Sequence, residues 1–382
     1  MNKFDIAVIG GGMVGAAVAL GFAKQGRQVV MVEGQEPSPY SDEQPMDIRV
    51  SAISHHSVQI LQDLGAWRAI EATRVCPYRR LETWEHPECR TRFHSDELGL
   101  DQLGYIIENR LIQHGLWQQF EQYPNLTVIC PDSLASLEFG ESVGIELTSG
   151  ARISAEWVVG ADGANSQVRQ QAGIGITAWD YRQHCMLINV ATELDQQDIT
   201  WQQFNPTGPR SFLPLCGQQG SLVWYDSPKR IKQLSAMSNE QMREEILLNF
   251  PAELGDITVL QHGSFPLTRR HAQQYVKNRC ILVGDSAHTI NPLAGQGVNL
   301  GFKDVDALLK VTQGESLTAE LLASYERKRR GDNLLMQSGM DVFYKGFSND
   351  VAPLKLLRNA ALKIADKTGR LKQQVLKYAL GL

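Results

Sequence analysis

The sequence predicts an α/β protein with two sheets, one parallel and crossed over by helices, the other mainly antiparallel, followed by a helical C-terminal segment. Three observations predict it. The first 33 residues run strand, glycine turn, helix, strand. Two more short β-branched runs, near residues 157 and 280, end in Asp-Gly or Gly-Asp, so the parallel sheet is assembled from distant pieces. Residues 184–227 instead read as hairpin-linked strands.

A chain of 382 residues can bury a large core and divide into two domains. Hydrophobic residues make up 43% and charged residues 21%, an ordinary globular balance. The net charge of -5 offers no general attraction to nucleic acid. No apolar run approaches the roughly 20 residues that cross a bilayer. Strand residues begin at Phe4, so a secretory leader is not expected. Cys76, Cys89, Cys130, Cys185, Cys216 and Cys280 are scattered and read as reduced thiols of a cytoplasmic protein. His55 and His56 have no further ligands at metal-binding spacing, so no metal is expected.

In the first element, Phe4–Ile9 suits a buried parallel strand. Gly10, Gly12 and Gly15 follow as G-x-G-x-x-G, and residues 16–23 form a helix with a small-residue face. Gly10 permits the tight turn, Gly12 lets a pyrophosphate approach the backbone, and Gly15 permits close helix–strand packing. The helix start offers free N–H groups to phosphate. A second strand, Gln28–Val32, ends in Glu33, at about the 20-residue distance where an acid can accept from ribose hydroxyls and disfavours a 2′-phosphate. Together these features predict a Rossmann-like site for FAD or NAD.

The second element, Trp157 to Gly163, is a strand running into a turn that contains Asp162 and Gly163. The third is Cys280–Val283, followed by Gly284, Asp285, His288, Pro292, Gly295, Gln296, Gly297 and Asn299. A helix through Val305, Leu308 and Leu309 follows, and its N-terminus would stabilise negative charge placed against it. No second G-x-G-x-x-G is present, so no second dinucleotide-binding domain is expected.

These three fingerprints, in order and spacing, resemble the class A flavoprotein aromatic hydroxylases, the group built like p-hydroxybenzoate hydroxylase, over nearly the whole chain. The resemblance selects FAD, with NAD(P)H as co-substrate. It implies that Asp285 binds ribityl or ribose hydroxyls and that Pro292 and Gly295-Gln296-Gly297 lie against the isoalloxazine. It implies that Asp162, with Gly163, holds the central turn, that Arg49 lies near the pyrophosphate, and that Asn109 is a further cofactor contact. Asn299 belongs to the same late motif, and His288 and Pro292 are the residues nearest the chemistry. The reaction implied is oxygen transfer from a flavin C4a-hydroperoxide to an electron-rich ring, and no protein acid or base is named by the sequence.

Further stretches narrow the resemblance: residues 78–84, 265–272, 336–341 and the terminal 376–382. They resemble the bacterial ubiquinone-biosynthesis hydroxylases, which implies a polyprenylated benzoquinol as substrate and O2 as oxidant. A hydroxylase of a small soluble phenol, an FAD-dependent dehydrogenase or reductase without oxygen transfer, and a non-catalytic FAD-binding scaffold are the other readings.

The FAD-binding domain is expected from residues near 1–75, 100–175 and 275–340, and the sheet domain from 76–99 and 176–274. Trp201, Phe204, Phe212, Trp224 and Tyr225 are candidates to line the substrate pocket, or are ordinary sheet core. Residues 341–382 form the C-terminal segment. Its part from 351 on carries seven basic residues against Asp366, with apolar residues at helical spacing. It reads as basic amphipathic helix that lies on the inner membrane surface, meets a ubiquinone-biosynthesis assembly, or packs on its own core.

Overall fold

The computed structural model describes residues 3–290, 296–367, 369, 372–374 and 376–377. The parallel sheet runs Cys280–Leu282, Arg152–Gly160, Lys3–Ile9, Val29–Val32 and Leu126–Ile129, with a short antiparallel strand, Val276–Lys277, at one edge. The first strand is central because both of its faces are apolar. Ile6 faces Trp157 on one side and Val29 on the other, and Ile6, Ala7 and Val8 are wholly buried. Helix Met13–Lys24 covers this sheet with Ala16, Ala17, Val18, Ala19 and Leu20, all fully buried. Of these, Val18 and Leu20 are the larger, and fully burying a side chain of their size contributes about 1.5–3 kcal/mol.

The second sheet runs His288–Thr289, Ile257–Ala272, Ile176–Thr192, Gln219–Asp226, Arg210–Leu215, Ile199–Gln203, Arg80–Trp84 and Arg90–His94. Every pairing is antiparallel except that of Ile199–Gln203 with Arg80–Trp84. Its two long strands shift register between Asp180 and His184, where Arg182 takes a left-handed φ of 54°. Helices Pro228–Ser235 and Asn239–Asn249 cover one face of this sheet, each started by a serine that accepts a backbone N–H. A three-stranded sheet of Val50–Ser54, Gly104–Glu108 and Val75–Tyr78 completes the strands near the nucleotide turn.

The late fingerprint leads into helix Gln296–Thr312, which packs on both the first helix and the long helix Ala319–Phe347. Helix Ala352–Lys367 follows and rests on strand Arg90–His94.

Candidate active site

The glycine turn sits where the first strand meets the first helix. Gly10 adopts φ +100°, and a side chain there would strike the Ala161 carbonyl. A side chain on Gly15 would enter the Gly10 carbonyl oxygen. Gly12 differs: its φ is −63°, and a Cβ would meet nothing within 4 Å. The helix it caps has no side-chain cap, which leaves its first N–H groups for a ligand. Glu33 accepts from the Gly11 N–H and, at 2.8 and 3.1 Å, from those of Gly34 and Gln35. Gln113 and Trp117 donate to the Gly11 carbonyl at 2.9 and 2.8 Å. The turn is therefore held from behind while Gly12 stays open in front.

Arg49 and Asn109 arrive through the three-stranded sheet. Val50 pairs with Glu108, and the Asn109 N–H donates to the Arg49 carbonyl at 3.0 Å. The Arg49 guanidinium lies 4.6 Å from the Phe265 ring centre. The Asn109 Oδ1 accepts from Ser51 at 2.7 Å. Gly12, Met13, Arg49, Asn109, Arg110 and Gln113 line one cavity of about 580 Å³, together with the loop 45–48 and Gln261. That loop is tethered by buried Glu108, whose carboxylate accepts from the Asp47 N–H at 2.7 Å and from Arg74 at 2.8 Å. Burial pushes the Glu108 carboxyl up, and those two donors oppose the rise.

In the central turn, Asp162 accepts from the Gln167 and Val168 N–H groups at 2.7 and 3.1 Å, and Gly163 takes φ +77°. Buried Arg169 ties this turn to the late motif, donating to the carbonyls of Ser286 and Ala164 at 2.8 and 3.0 Å. Asp285 touches solvent, yet burial raises its pKa, with His288 and Arg49 opposing. The two facts describe a carboxylate in a recess, reachable but surrounded by protein. Gly297 has open space where a side chain would project. Pro292 and Gly295 lie outside the described residues, as does the side chain of Gln296.

His288 and Asn299 turn inward. His288 is buried and pairs through Nε2 with Asp304 at 2.5 Å. Asp304 also takes Arg329 at 2.7 Å, Asn333 at 3.2 Å and the Gly284 N–H at 3.0 Å. Burial pushes Asp304 up, but His288 and Arg329 win and hold it at about 2. The Asn299 amide accepts from the Ser54 N–H and the Ser57 hydroxyl and donates to the Ala52 carbonyl, all within 2.9 Å. Both residues brace the loops that carry Asp285 and Arg49. Asp304, Arg329 and Glu108 are absent from the sequence reading. The one signal for Asp304 is a carboxylate inside an otherwise apolar helix face.

Of the two readings open to the five aromatics, pocket lining or ordinary sheet core, three take the second. Trp201, Phe212 and Trp224 belong to the core beneath the two covering helices, packed with Phe250 and Met242. Phe204 stacks on Phe347 with centroids 4.1 Å apart. Strand alternation puts the opposite set on the cleft face: Leu187 and Asn189, Val223 and Tyr225, Gln261 and Phe265. The Asn189 amide confirms the side, since it donates to the Asp47 carbonyl of the cavity loop at 3.1 Å. Of the five aromatics, Tyr225 shares this face.

The arrangement fits FAD: an open Gly12 at an uncapped helix, an arginine beside it with no ion pair among the described residues, and a carboxylate further along. The FAD-binding-domain family matches residues 3–333. Over 99% of this chain and 98% of its own length, 3-demethoxyubiquinol 3-hydroxylase of Escherichia coli K12 is 53% identical. The chain belongs to the FAD-dependent ubiquinone hydroxylases. Ubiquinone hydroxylase UbiL of Rhodospirillum rubrum is 32% identical over 99% of this chain and 89% of its own. The crystal structure of p-nitrophenol 4-monooxygenase from Pseudomonas putida superposes with a TM-score of 0.82 at 19% identity, covering 100% of this chain and 99% of that one, which shows the shared fold. The protein is an FAD-dependent monooxygenase, with FAD as cofactor and NAD(P)H as the co-substrate typical of its class.

Proposed function

We propose that the chain hydroxylates the ring of a 3-demethoxyubiquinol at carbon 3, with O2 as oxidant and NAD(P)H as electron source. The observation that carries this reading is 53% identity, end to end, with the Escherichia coli enzyme of that name. FAD, when bound, supplies the oxygen-activating chemistry. The chain's part is to hold and shield. The N–H groups after Gly12 and the Arg49 guanidinium would take the pyrophosphate, Glu33 the adenosine ribose, and Asp285 the ribityl or ribose hydroxyls. Asn109 and Gly297 would approach the cofactor from either end of the cleft, and Asp162 with Gly163 would keep the central turn in place. Leu187, Val223 and Phe265 would cover the substrate ring and exclude water. In this reading residues near 1–75, 100–175 and 275–340 act as the FAD unit and 76–99 with 176–274 as its roof.

We further propose that the last helix meets a lipid surface. Among the described residues no helix is long and apolar enough to cross a membrane. Helix Ala352–Lys367 is seated by its polar side: Arg358 and Asn359 bind Glu85, and Asp366 accepts the Arg92 N–H at 2.9 Å. Its outer side shows Leu354, Leu356, Leu357 and Ile364, all exposed, with Lys363 among them. Leu362 is buried on the seated side, but these other apolar side chains face outward, which suits delivery of a polyprenyl substrate. The test of the catalytic reading is product analysis with a short-chain demethoxyubiquinol analogue: a hydroxylated quinol supports it, and NAD(P)H oxidation yielding only peroxide rejects it.

A further inference from the structure

A second cavity, of about 520 Å³, opens at the start of strand Cys280–Leu282, whose other end runs on to Asp285 and the cofactor cleft. Its wall is built by the hairpin of Val276–Lys277 with Cys280–Leu282, by Trp157 of the neighbouring strand, and by the first turns of helix Ala319–Phe347. Lys277, Arg279 and Arg327 bring three positive charges to it and Glu326 one negative. On a chain whose net charge is -5, that is a local reversal of sign. The Glu326 carboxylate is already engaged, accepting from the Tyr275 and Val276 N–H groups at 3.0 and 2.9 Å. Lys277 donates to the Gly173 carbonyl at 2.7 Å and Arg279 to the Glu156 carbonyl at 3.3 Å, and none of the three cations has an ion pair among the described residues.

Trp157 points to a ligand independently of these charges. It is 4% exposed, and its indole N–H has no acceptor among the described residues. A buried indole N–H normally finds one. The Arg279 guanidinium lies 5.7 Å from the centre of the Trp157 ring. Arg279 holds that place at a cost. With Asn278 it forms the two-residue turn of the hairpin, at φ 49° and 61°. Such a turn favours Asn-Gly, because only glycine takes the second φ without a steric penalty. A guanidinium therefore stands where the fold alone would choose glycine. The polar groups on the wall are an indole N–H, two guanidinium groups and an ammonium, all of them donors.

We propose that this cavity binds the phosphate monoester of a small organic molecule. Three cations against one carboxylate leave two positive charges. A phosphate monoester, at about −1.5 to −2 near neutral pH, matches them. The two guanidinium groups present paired N–H donors to its oxygens, and the Trp157 N–H gains the acceptor it lacks. The cavity falls within the range of small-molecule sites, about 300–1,000 Å³, so the phosphate carries an organic body. Leu317 and Ala323 give that body an apolar wall. The ester is either free in solution or the headgroup of a phosphorylated lipid. None of these residues lines the cofactor cavity, so the site does not rest on the hydroxylase reading.

The experiment uses the full chain, loaded with FAD and ¹⁵N-labelled at its tryptophan indoles. The Trp157 signal is identified by its loss in Trp157→Phe. The probes are glycerol 3-phosphate, glucose 6-phosphate, a short-chain phosphatidic acid and inorganic phosphate. The expected result is a saturating shift of the Trp157 N–H signal with at least one soluble ester. A shift with the phosphatidic acid and neither soluble ester also supports the monoester site and makes lipid its source. Arg279→Gly should weaken the affinity about tenfold or more, the scale of one charge-assisted hydrogen bond. The hairpin should survive that change, since glycine takes the turn freely, and an unlowered melting temperature checks it. Arg327→Gln should weaken the affinity to a similar degree without touching the hairpin. No shift with any ester, wild-type affinity in either variant, or inorganic phosphate binding as tightly as the esters overturns the proposal. Quinol hydroxylation is not read in this experiment, so its failure and the failure of the hydroxylase reading are separate results.

Discussion

Gly12 and Gly15 stand three residues apart and do opposite things. Gly15 is closed in by the Gly10 carbonyl, whereas Gly12 faces open space at a φ that alanine adopts freely. Gly15→Ala should cost about 1–3 kcal/mol of stability by overpacking. Gly12→Ala should leave the apoprotein's melting temperature near wild type and lower its FAD content, read by flavin absorbance against protein. Equal melting losses in both variants would contradict the assignment of Gly12 to the ligand side. These residues were legible in the sequence because a close approach to phosphate admits almost only glycine at fixed spacing. Asp304 and Arg329 were not, because their partners are brought together by helix packing across long separations. A second buried group gives a pH test. Burial, then His288, lowers His271 from 6.5 to about 4. The unfolded chain therefore binds a proton in that window that the folded chain does not, and stability should fall as pH drops from about 6.5 to 4. Denaturant titrations of His271→Gln should show a shallower loss over the same window; an identical slope would mean other groups carry it.

At the scale of the element, the antiparallel sheet shows the limit of pattern reading. Alternation separates two faces, but it does not say which face the helices cover. Large aromatics at Trp201, Phe212 and Trp224 suit either a pocket wall or a sheet core, and they fill the space under the two helices, while smaller Leu187 and Val223 face the cleft. Trp224→Ala should cost about 3–5 kcal/mol of stability and leave the KM of the folded fraction unchanged. Val223→Trp should raise KM or uncouple NAD(P)H use from product with a smaller stability cost. A large KM change in Trp224→Ala alone would reverse the two faces. The last helix was legible as amphipathic but not in its orientation, because Glu85, the anchor of Arg358, lies far back in the chain.

At the scale of the whole molecule, three distant pieces of sequence converge on one parallel sheet, and each ends in a loop of the cofactor cleft. That much was legible because each strand is short, β-branched and followed by a glycine-bearing turn. The three-stranded sheet was not, since only its flanking Arg49 and Asn109 carried a signal. The outward leucines make the molecule a candidate for reversible attachment to lipid. Leu357→Ser with Ile364→Ser should lower co-sedimentation with anionic vesicles several-fold, given about 0.8 kcal/mol per buried CH₂ group, and leave turnover of a short-chain analogue intact; unchanged sedimentation would remove the helix from that role. Whether this FAD protein places oxygen on a quinol ring is read by mass analysis of the product formed from a demethoxyubiquinol analogue, NAD(P)H and ¹⁸O₂. One labelled oxygen in the quinol is the predicted result. Reduction and reoxidation of the flavin without label in the product would contradict it.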